Sequence, residues 1–366
     1  MRVIVDVMGG DNAPLELVKG AVAASKRINA SFILVGDAEQ IERIAESEKF
    51  DLSRFDIVHT PTLITMEDDP LSVVRAKKDS SMSVGLRMLA EGQGDAFVSA
   101  GNTGALFTGA TLIVRKIRGV QRAAIGAVLP VGSPCILLDC GANVTVTEEY
   151  MEQFAVMGSA YVRKMFHVEA PTVGLLNNGT EEHKGTPLHV ETNKRLKNCA
   201  SIHYIGNVEG NAVPFGKCNV VVADGFTGNV FLKTMEGTAK MLLKALKGSF
   251  LKNGLTKLSA LLMKGAIGEM KQRFDPSEYG GSPFLGISKP VVKAHGSSDA
   301  KAFCNAIRAA VEYAESGVIY DIAEEAERFT AMKKAERDAE TERALRAEAE
   351  AGSQTQKVTE RGEKTI

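Results

Sequence analysis

Markers of export, membrane insertion, metal centres and nucleotide binding are scarce in this sequence. Its five cysteines, Cys135, Cys140, Cys199, Cys218 and Cys304, form an odd set with no CxxC pair. Most lie in apolar runs such as CILLDC and CNVVVAD, a placement that suits reduced core residues of a cytosolic protein better than a disulfide frame or a redox or metal site. The opening MRVIVDVMGGD turns polar after a handful of apolar residues, too few for a signal-peptide core, and no later apolar run approaches the roughly 18 residues of a membrane span. There is no GxGxxG, no Walker lysine loop, no GxSxG elbow and no HExxH, and only six histidines are scattered along the chain. The dinucleotide, serine-hydrolase and zinc-protease readings therefore lack their residues. Lys and Arg number 44 against 45 Asp and Glu, a net charge of −1, so the molecule as a whole is not built to bind nucleic acid or another polyanion.

What is present suits a large α/β protein. The 366 residues are 44% hydrophobic and 24% charged, enough for two domains or one large α/β unit. Short β-branched runs recur: RVIVDV, FILVG, DAFVSAG, AAIGAVLP, CILLDCG, PTVGLLNN, IHYIG, NVVVADG and VVKAHG. Nearly all are continuously apolar, the pattern of strands covered on both faces. Helical spacing fills the gaps, as in 14–28, 81–91, 103–117, 148–166 and 299–316. Asp11 or Asn12 ahead of Pro14, and Ser298 ahead of Asp299, read as N-caps. The alternation predicts a doubly wound, mostly parallel sheet with ligands at the carboxyl ends of its strands.

Two segments depart from this pattern. Residues 233–273 carry nine basic side chains against two acidic ones. A helix through Leu255, Leu258, Leu262 and Ala266 would gather its leucines on one face and place Lys257, Lys264 and Lys271 on the other. Such a basic amphipathic helix, part of an excursion at 240–273, suits peripheral contact with a membrane or an acidic carrier protein; a packed helix with solvated lysines and a dimer interface are the plainer alternatives. From Asp321 onward, 12 acidic and 9 basic residues fill 46 positions with few large apolar side chains, so a helix is expected to fray into a disordered charged tail over 331–366.

The chemistry gathers in six Gly-, Asn- and Ser-rich loops, each following an apolar strand: Asp6–Asp11, Ser99–Gly104, Asp139–Asn143, Asn177–Thr180, Asp224–Asn229 and His295–Asp299. Such a loop brings bare backbone N–H groups to an anion at the positive end of a helix. A single loop of this kind is equally well explained by helix capping. Six of them along one sheet edge point to a phosphate or carbonyl ligand held by backbone and amide donors. The candidate binding residues are Asp6, Gly9, Gly10, Asp11, Gly101, Asn102, Thr103, Asn143, Asp224, Gly225, His295, Gly296 and Ser297. Lys184, in EEHKG just after a strand, is placed to neutralise a phosphate, with a solvated surface lysine as the alternative. Asn229 could instead cap its helix, His295 could be a satisfied core histidine, and Asp6, Asp139 and Asp224 could tie down loop amides.

In order along the chain, VDVMGGDNAP, SAGNTGA, LDCGAN, GLLNNGTEEHKG, GNVEG, VVADGFTGNVFLKTMEG and GGSPFLGI with PVVKAHGSSDAKAF resemble the bacterial phosphate acyltransferases of phospholipid synthesis, from residue 2 to about residue 320. The resemblance implies one catalytic domain over 1–330, with the three-layer α/β/α fold of the isocitrate dehydrogenase and phosphotransacetylase group. It implies a homodimer that needs no metal or organic cofactor. The implied reaction moves a long-chain fatty acyl group from acyl carrier protein to inorganic phosphate, giving an acyl phosphate. By the same resemblance Lys184 and Asn229 fall on catalytic positions, whereas His183 is assigned no role. The expected location is cytoplasmic, at the inner face of the membrane beside a glycerol-3-phosphate acyltransferase that would take the product. Competing readings are a coenzyme A phosphotransacetylase, a decarboxylating dehydrogenase of the same fold group, and a non-catalytic membrane-surface scaffold.

Overall fold

The computed structural model describes residues 1–250, 252–273, 278, 280–335, 338 and 341. Along the chain its strands are β1 (Arg2–Asp6), β2 (Ser31–Gly36), β3 (Phe55–His59), β4 (Ala96–Ser99), β5 (Ala124–Ile125), β6 (Ala127–Val128), β7 (Ile136–Leu138), β8 (Thr172–Asn177), β9 (His203–Glu209), β10 (Val220–Val222), β11 (Ser282–Leu285) and β12 (Val291–Lys293). They form two sheets, in the orders β3-β2-β1-β4-β12-β11-β5 and β6-β7-β10-β8-β9. β11 is antiparallel to both its neighbours and β6 is antiparallel to β7, while all other pairings are parallel. The doubly wound, mostly parallel architecture is therefore present, but divided. The division falls inside AAIGAVLP, which reads as one strand: β5 and β6 hold two residues each and belong to different sheets, joined through Gly126.

Helices cover these strands: α1 (Leu15–Ser25), α2 (Ala38–Glu48), α3 (Ser81–Ala90), α4 (Thr103–Gly109), α5 (Glu148–Phe166), α6 (Pro187–Asn198), α7 (Gly225–Phe250), α8 (Gly254–Leu262), α9 (Lys264–Arg273) and α10 (Ala300–Glu315). Val3, Ile4 and Val5 of β1, like Val220, Val221 and Val222 of β10, are wholly buried because helices close over both faces. Each such side chain removed from water contributes about 1.5–3 kcal/mol. Tyr161 of α5 meets Tyr313 of α10 edge-on at 5.8 Å, and one buried cluster holds side chains from both sheets. The helical layers thus lock the two sheets together.

Local chemistry sets the helix ends, with some departures from the sequence reading. Ser80, Thr147 and Asp299 cap α3, α5 and α10 through their side chains. The expected caps Asp11 and Asn12 do not act on α1, whose N-cap is Pro14 without a side-chain bond. Asn12 is drawn away because its amide donates to the carbonyls of Ser297 and Ser298. Ser298 also yields its capping place, since its hydroxyl donates to the His295 carbonyl while Asp299 caps. The helix expected over 103–117 is α-helical only to Gly109, then widens into a π-turn over Ala110–Val114, where Thr111, Ile113 and Val114 are β-branched.

The basic segment is not one continuous helix. α8 ends at Leu262 and α9 starts at Lys264, so the seven-residue lysine spacing is interrupted at Met263. Gly265 and Gly268 on the far side of that break weaken any drive to continue. Leu258, Leu262 and Lys264 are exposed, whereas the side chains of Leu255, Lys257 and Lys271 lie outside those described. Upstream, α7 runs for 26 residues, and only Gly225 and Gly228 of it are buried. The charged tail begins as a docked helix over 318–335 that buries Val318, Ile322 and Ala326. Most of the stretch expected to be disordered lies outside the described residues.

Candidate functional site

Parallel register brings the loops together, three to each sheet. In the first sheet Asp6 pairs with Ser99, and Ser99 with Lys293, so the chain leaves β1, β4 and β12 at one edge. Gly9 lies so close to Gly101 that a Cβ on Gly9 would come within 2.6 Å of the Gly101 Cα. Beyond it, Gly10 turns at φ +125°, and the Asp11 amide donates to the Gly296 carbonyl at 2.8 Å. The three loops are therefore laced by their own backbones.

That lacing consumes several predicted ligand groups. The buried Asp6 carboxylate accepts from Ser99 Oγ (2.7 Å), Ser81 Oγ (2.8 Å) and the Met8 amide (3.1 Å). Burial raises its pKa, and those bonds pull it partly back. Asp6 thus serves as an internal anchor of these loops. The Asn102 amide is likewise spent, donating to the carbonyls of Thr65, Met66 and Asp68, while its Oδ1 caps α4 through the Ala105 amide. The Gly101 amide donates to Ser99 Oγ. The Gly10 and Gly296 amides have no acceptor among the described residues, and Asp11, Thr103, His295 and Ser297 remain exposed. His295 Nδ1 lies 2.9 Å from Ser297 Oγ, and burial, then the Lys233 charge, hold the imidazole below its ordinary pKa.

One cationic residue here escaped the sequence reading. Lys293, buried at the end of β12, donates from Nζ to the carbonyls of Ala100 (3.1 Å) and Ala294 and forms no ion pair among the described residues. Burial pushes its pKa down to about 8, with Asp6 and Asp11 drawing it upward and Lys233 adding to the fall. A lysine inside the apolar run VVKAHG was the available signal, since a cation in a doubly covered strand must find polar partners.

In the second sheet Leu138, Val222 and Leu175 share one register, so the loops after β7, β10 and β8 leave from a common edge. Asp139, wholly buried, organises the first of them. Its carboxylate accepts from the amides of Ile125, Ala142 and Asn143 and from Asn143 Nδ2, and its pKa is raised by burial against those bonds. Asn143 also donates to the Ala123 carbonyl, and its own carbonyl accepts from the Gly225 amide. Asp224 accepts from the amides of Phe226 and Thr227 and from Thr227 Oγ1. Asn143, Asp224 and Gly225 thus build the turn into α7.

Asn229 and Lys184 are different. Asn229, the fifth residue of α7, is exposed with no side-chain hydrogen bond among the described residues. Its amide lies over Gly141, where a Cβ would stand 3.1 Å from Nδ2. Lys184 is half-buried, its stem passes over Gly179, and it has no ion pair among the described residues. Its loop neighbours the α7 turn, because the Asp224 charge is felt at His189, three residues beyond Thr186. Lys233 of α7 lies within electrostatic reach of both edges, acting on Cys140 at one and on Lys293 and His295 at the other. The six loops thus form two trios, one on each sheet, and not a single row.

Residues 1–321 match the family model described as fatty acid synthesis protein. The chain belongs to that family. Within the fatty acid synthesis protein family, a phosphate acyltransferase of Thermotoga neapolitana is 48% identical over 333 residues, 90% of this chain and 96% of that protein. One of Thermoanaerobacterium thermosaccharolyticum is 44% identical over 328 residues, 89% and 97% of the respective chains. Among solved structures, a phosphotransacetylase from Streptococcus pyogenes shares the fold with a TM-score of 0.59 at 17% identity, over 86% of this chain and 94% of that one.

Proposed function

We propose that this phosphate acyltransferase draws its long-chain acyl group from the thioester of acyl carrier protein, and that Lys184 and Asn229 carry the transfer. An orthophosphate oxygen attacks the thioester carbonyl, the C–S bond breaks, and the pantetheine thiolate leaves to take a proton from solvent. Near pH 7 phosphate is already partly dianionic, and a thiolate with a parent pKa of about 8–9 leaves without a strong acid. Positioning and charge neutralisation remain as the protein's task. The Lys184 ammonium offsets phosphate charge, the Asn229 amide donates to the developing oxyanion, and the Gly10 and Gly296 amides add donors for a bound anion.

The observation that carries this reading is the contrast in employment. Asp6, Asn102, Asn143 and Asp224 are consumed by internal bonds, whereas Lys184 and Asn229 are held in place yet make no ion pair or side-chain bond among the described residues. The test is phosphate-dependent thiol release from palmitoyl-acyl carrier protein, compared with acetyl-coenzyme A. Carrier-protein preference and dependence on phosphate are expected; preference for the coenzyme A thioester would favour a phosphotransacetylase. Losing an oxyanion donor costs about 2.7–4 kcal/mol, so Asn229→Ala should lower turnover by roughly 10²–10³. Near-normal turnover would remove Asn229 from the chemistry. A homodimer, and membrane contact through α8 beside a glycerol-3-phosphate acyltransferase, belong to the same proposal. They are supported by the exposed Met241, Leu242, Leu258, Leu261 and Leu262 amid basic residues.

A further inference from the structure

Behind the Lys184 loop, three asparagine amides from three different elements each hold one of its carbonyls. Asn177 Nδ2, at the end of β8, donates to the Lys184 carbonyl at 3.1 Å. Asn207 Nδ2, on β9, donates to the Glu181 carbonyl at 2.8 Å, and Asn193 Nδ2, on α6, donates to the Glu182 carbonyl at 3.3 Å. Asn193 is itself steadied by Tyr204, whose hydroxyl donates to Asn193 Oδ1 at 2.9 Å. The loop is thus gripped through its main chain from the side opposite its solvent face.

Two features argue that this grip exceeds ordinary loop packing. Asn207 is 7% exposed, and its Oδ1 is buried without a hydrogen-bond partner among the described residues. An unsatisfied buried carbonyl is a standing cost, and an apolar side chain would avoid it, so the site keeps an amide for its donor alone. The second feature is an irregularity in β9. Val173 pairs with Tyr204 and Leu175 with Asn207, so β9 spends one more residue than β8 across this interval. In a regular strand residues three apart point to opposite faces. The extra residue lets Tyr204 and Asn207 both serve the Lys184 loop, a use of a bulge to re-aim a side chain.

We propose that Asn177, Asn193 and Asn207 are positioning residues that fix the main chain of the 181–185 loop and thereby the Lys184 ammonium. The inference rests on the catalytic reading of Lys184 given above. Gly185 completes the device: its φ of +90° closes the loop beside Asn177, and a Cβ there would lie 2.7 Å from Asn177 Oδ1.

The test compares Asn207→Ala, Tyr204→Phe, Lys184→Ala and the two double variants in the thiol-release assay. Hydrogen exchange of the 178–186 segment and urea unfolding accompany it. A displacement of about 1 Å can cost up to about 10² in rate, so Asn207→Ala should lower kcat by about 10–100 fold and Tyr204→Phe by several fold. Both should speed exchange in 178–186 while strands β8 and β10 stay protected. In the Lys184→Ala background neither change should lower the residual rate further, because residues acting through one group are non-additive. Tyr204→Phe keeps the question open to test if Asn207→Ala folds poorly. Normal kcat in both single variants, the same fold loss with and without Lys184, or unaltered exchange in the loop would each overturn the clamp. Normal turnover in Lys184→Ala alone would instead overturn the catalytic reading.

Discussion

A buried ammonium with no carboxylate partner among the described residues has a thermodynamic signature, and Lys293 supplies one. Burial holds its native pKa at about 8 against an ordinary 10.5. Below pH 8 the lysine is charged in both states, and the native state bears the full cost of desolvating it. Between about 8 and 10.5 the unfolded chain keeps a proton that the native chain has released, so stability from this group rises with pH across that window. The gain amounts to about 3 kcal/mol. Urea unfolding of the parent and Lys293→Met from pH 7.5 to 10.5 should show the parent gaining by that amount relative to the variant; parallel curves would clear Lys293. The site was only half legible from sequence. Lys184 stood out as a cation on a glycine-bounded loop at a strand end, where it could neutralise a phosphate, whereas Asn229 was marked out by the family resemblance, since its loop alone read equally well as a helix cap. Asp6, Asn102, Asn143 and Asp224 looked like ligands, since spacing shows that a group can bond and not which amide takes it. Asn193 and Asn207 were invisible because their partners are carbonyls 11 and 26 residues away.

At the scale of elements, the turn into α7 is fitted to the Asp139 loop with no room to spare. A Cβ on Gly228 would lie 2.0 Å from the Asp139 carbonyl oxygen, a backbone atom that cannot swing aside. Gly228→Ala should therefore push the first turn of α7 off the loop, cost about 1–3 kcal/mol in a denaturant titration, and lower turnover by displacing the adjacent Asn229. Gly237, further along the same helix, has nothing among the described residues within 4 Å of a built Cβ. Gly237→Ala should instead stabilise by up to about 1 kcal/mol, so the pair separates close packing from helix propensity. Strands were legible wherever helices cover both faces, since continuous apolar runs mark β1, β2, β4, β7, β8 and β10. β3 escaped because it is a half-exposed edge strand, FDIVH, whose apolar residues are interrupted by Asp56 and ended by His59. β11 escaped because Ser282 and Pro283 open a four-residue strand that lacks the β-branched signature. Nothing in AAIGAVLP itself announces that its halves join different sheets, because that choice is made by partners far along the chain.

At the scale of the whole molecule, a net charge of −1 conceals a strong segregation, because nine basic and only two acidic residues occupy 233–273. The segregated charge travels with exposed apolar surface: Leu262 is 81% exposed and Leu261 67%, with Leu258 and Met263 beside them. No helix among the described residues is long and apolar enough to cross a membrane. Each lysine near an anionic leaflet contributes about 1 kcal/mol, and salt screens that share while leaving the apolar share intact. The parent should therefore co-float with vesicles containing phosphatidylglycerol at low ionic strength and be partly released by about 0.5 M salt. Leu258→Glu, which places a carboxylate in the apolar patch, should abolish flotation at either salt concentration while thiol release with dissolved substrates stays near the parent value. If flotation is unchanged but the variant shifts from dimer to monomer on size-exclusion chromatography, the leucine face is spent between copies of the chain. The lysines must then carry any lipid attraction by themselves, and salt alone should be enough to remove it.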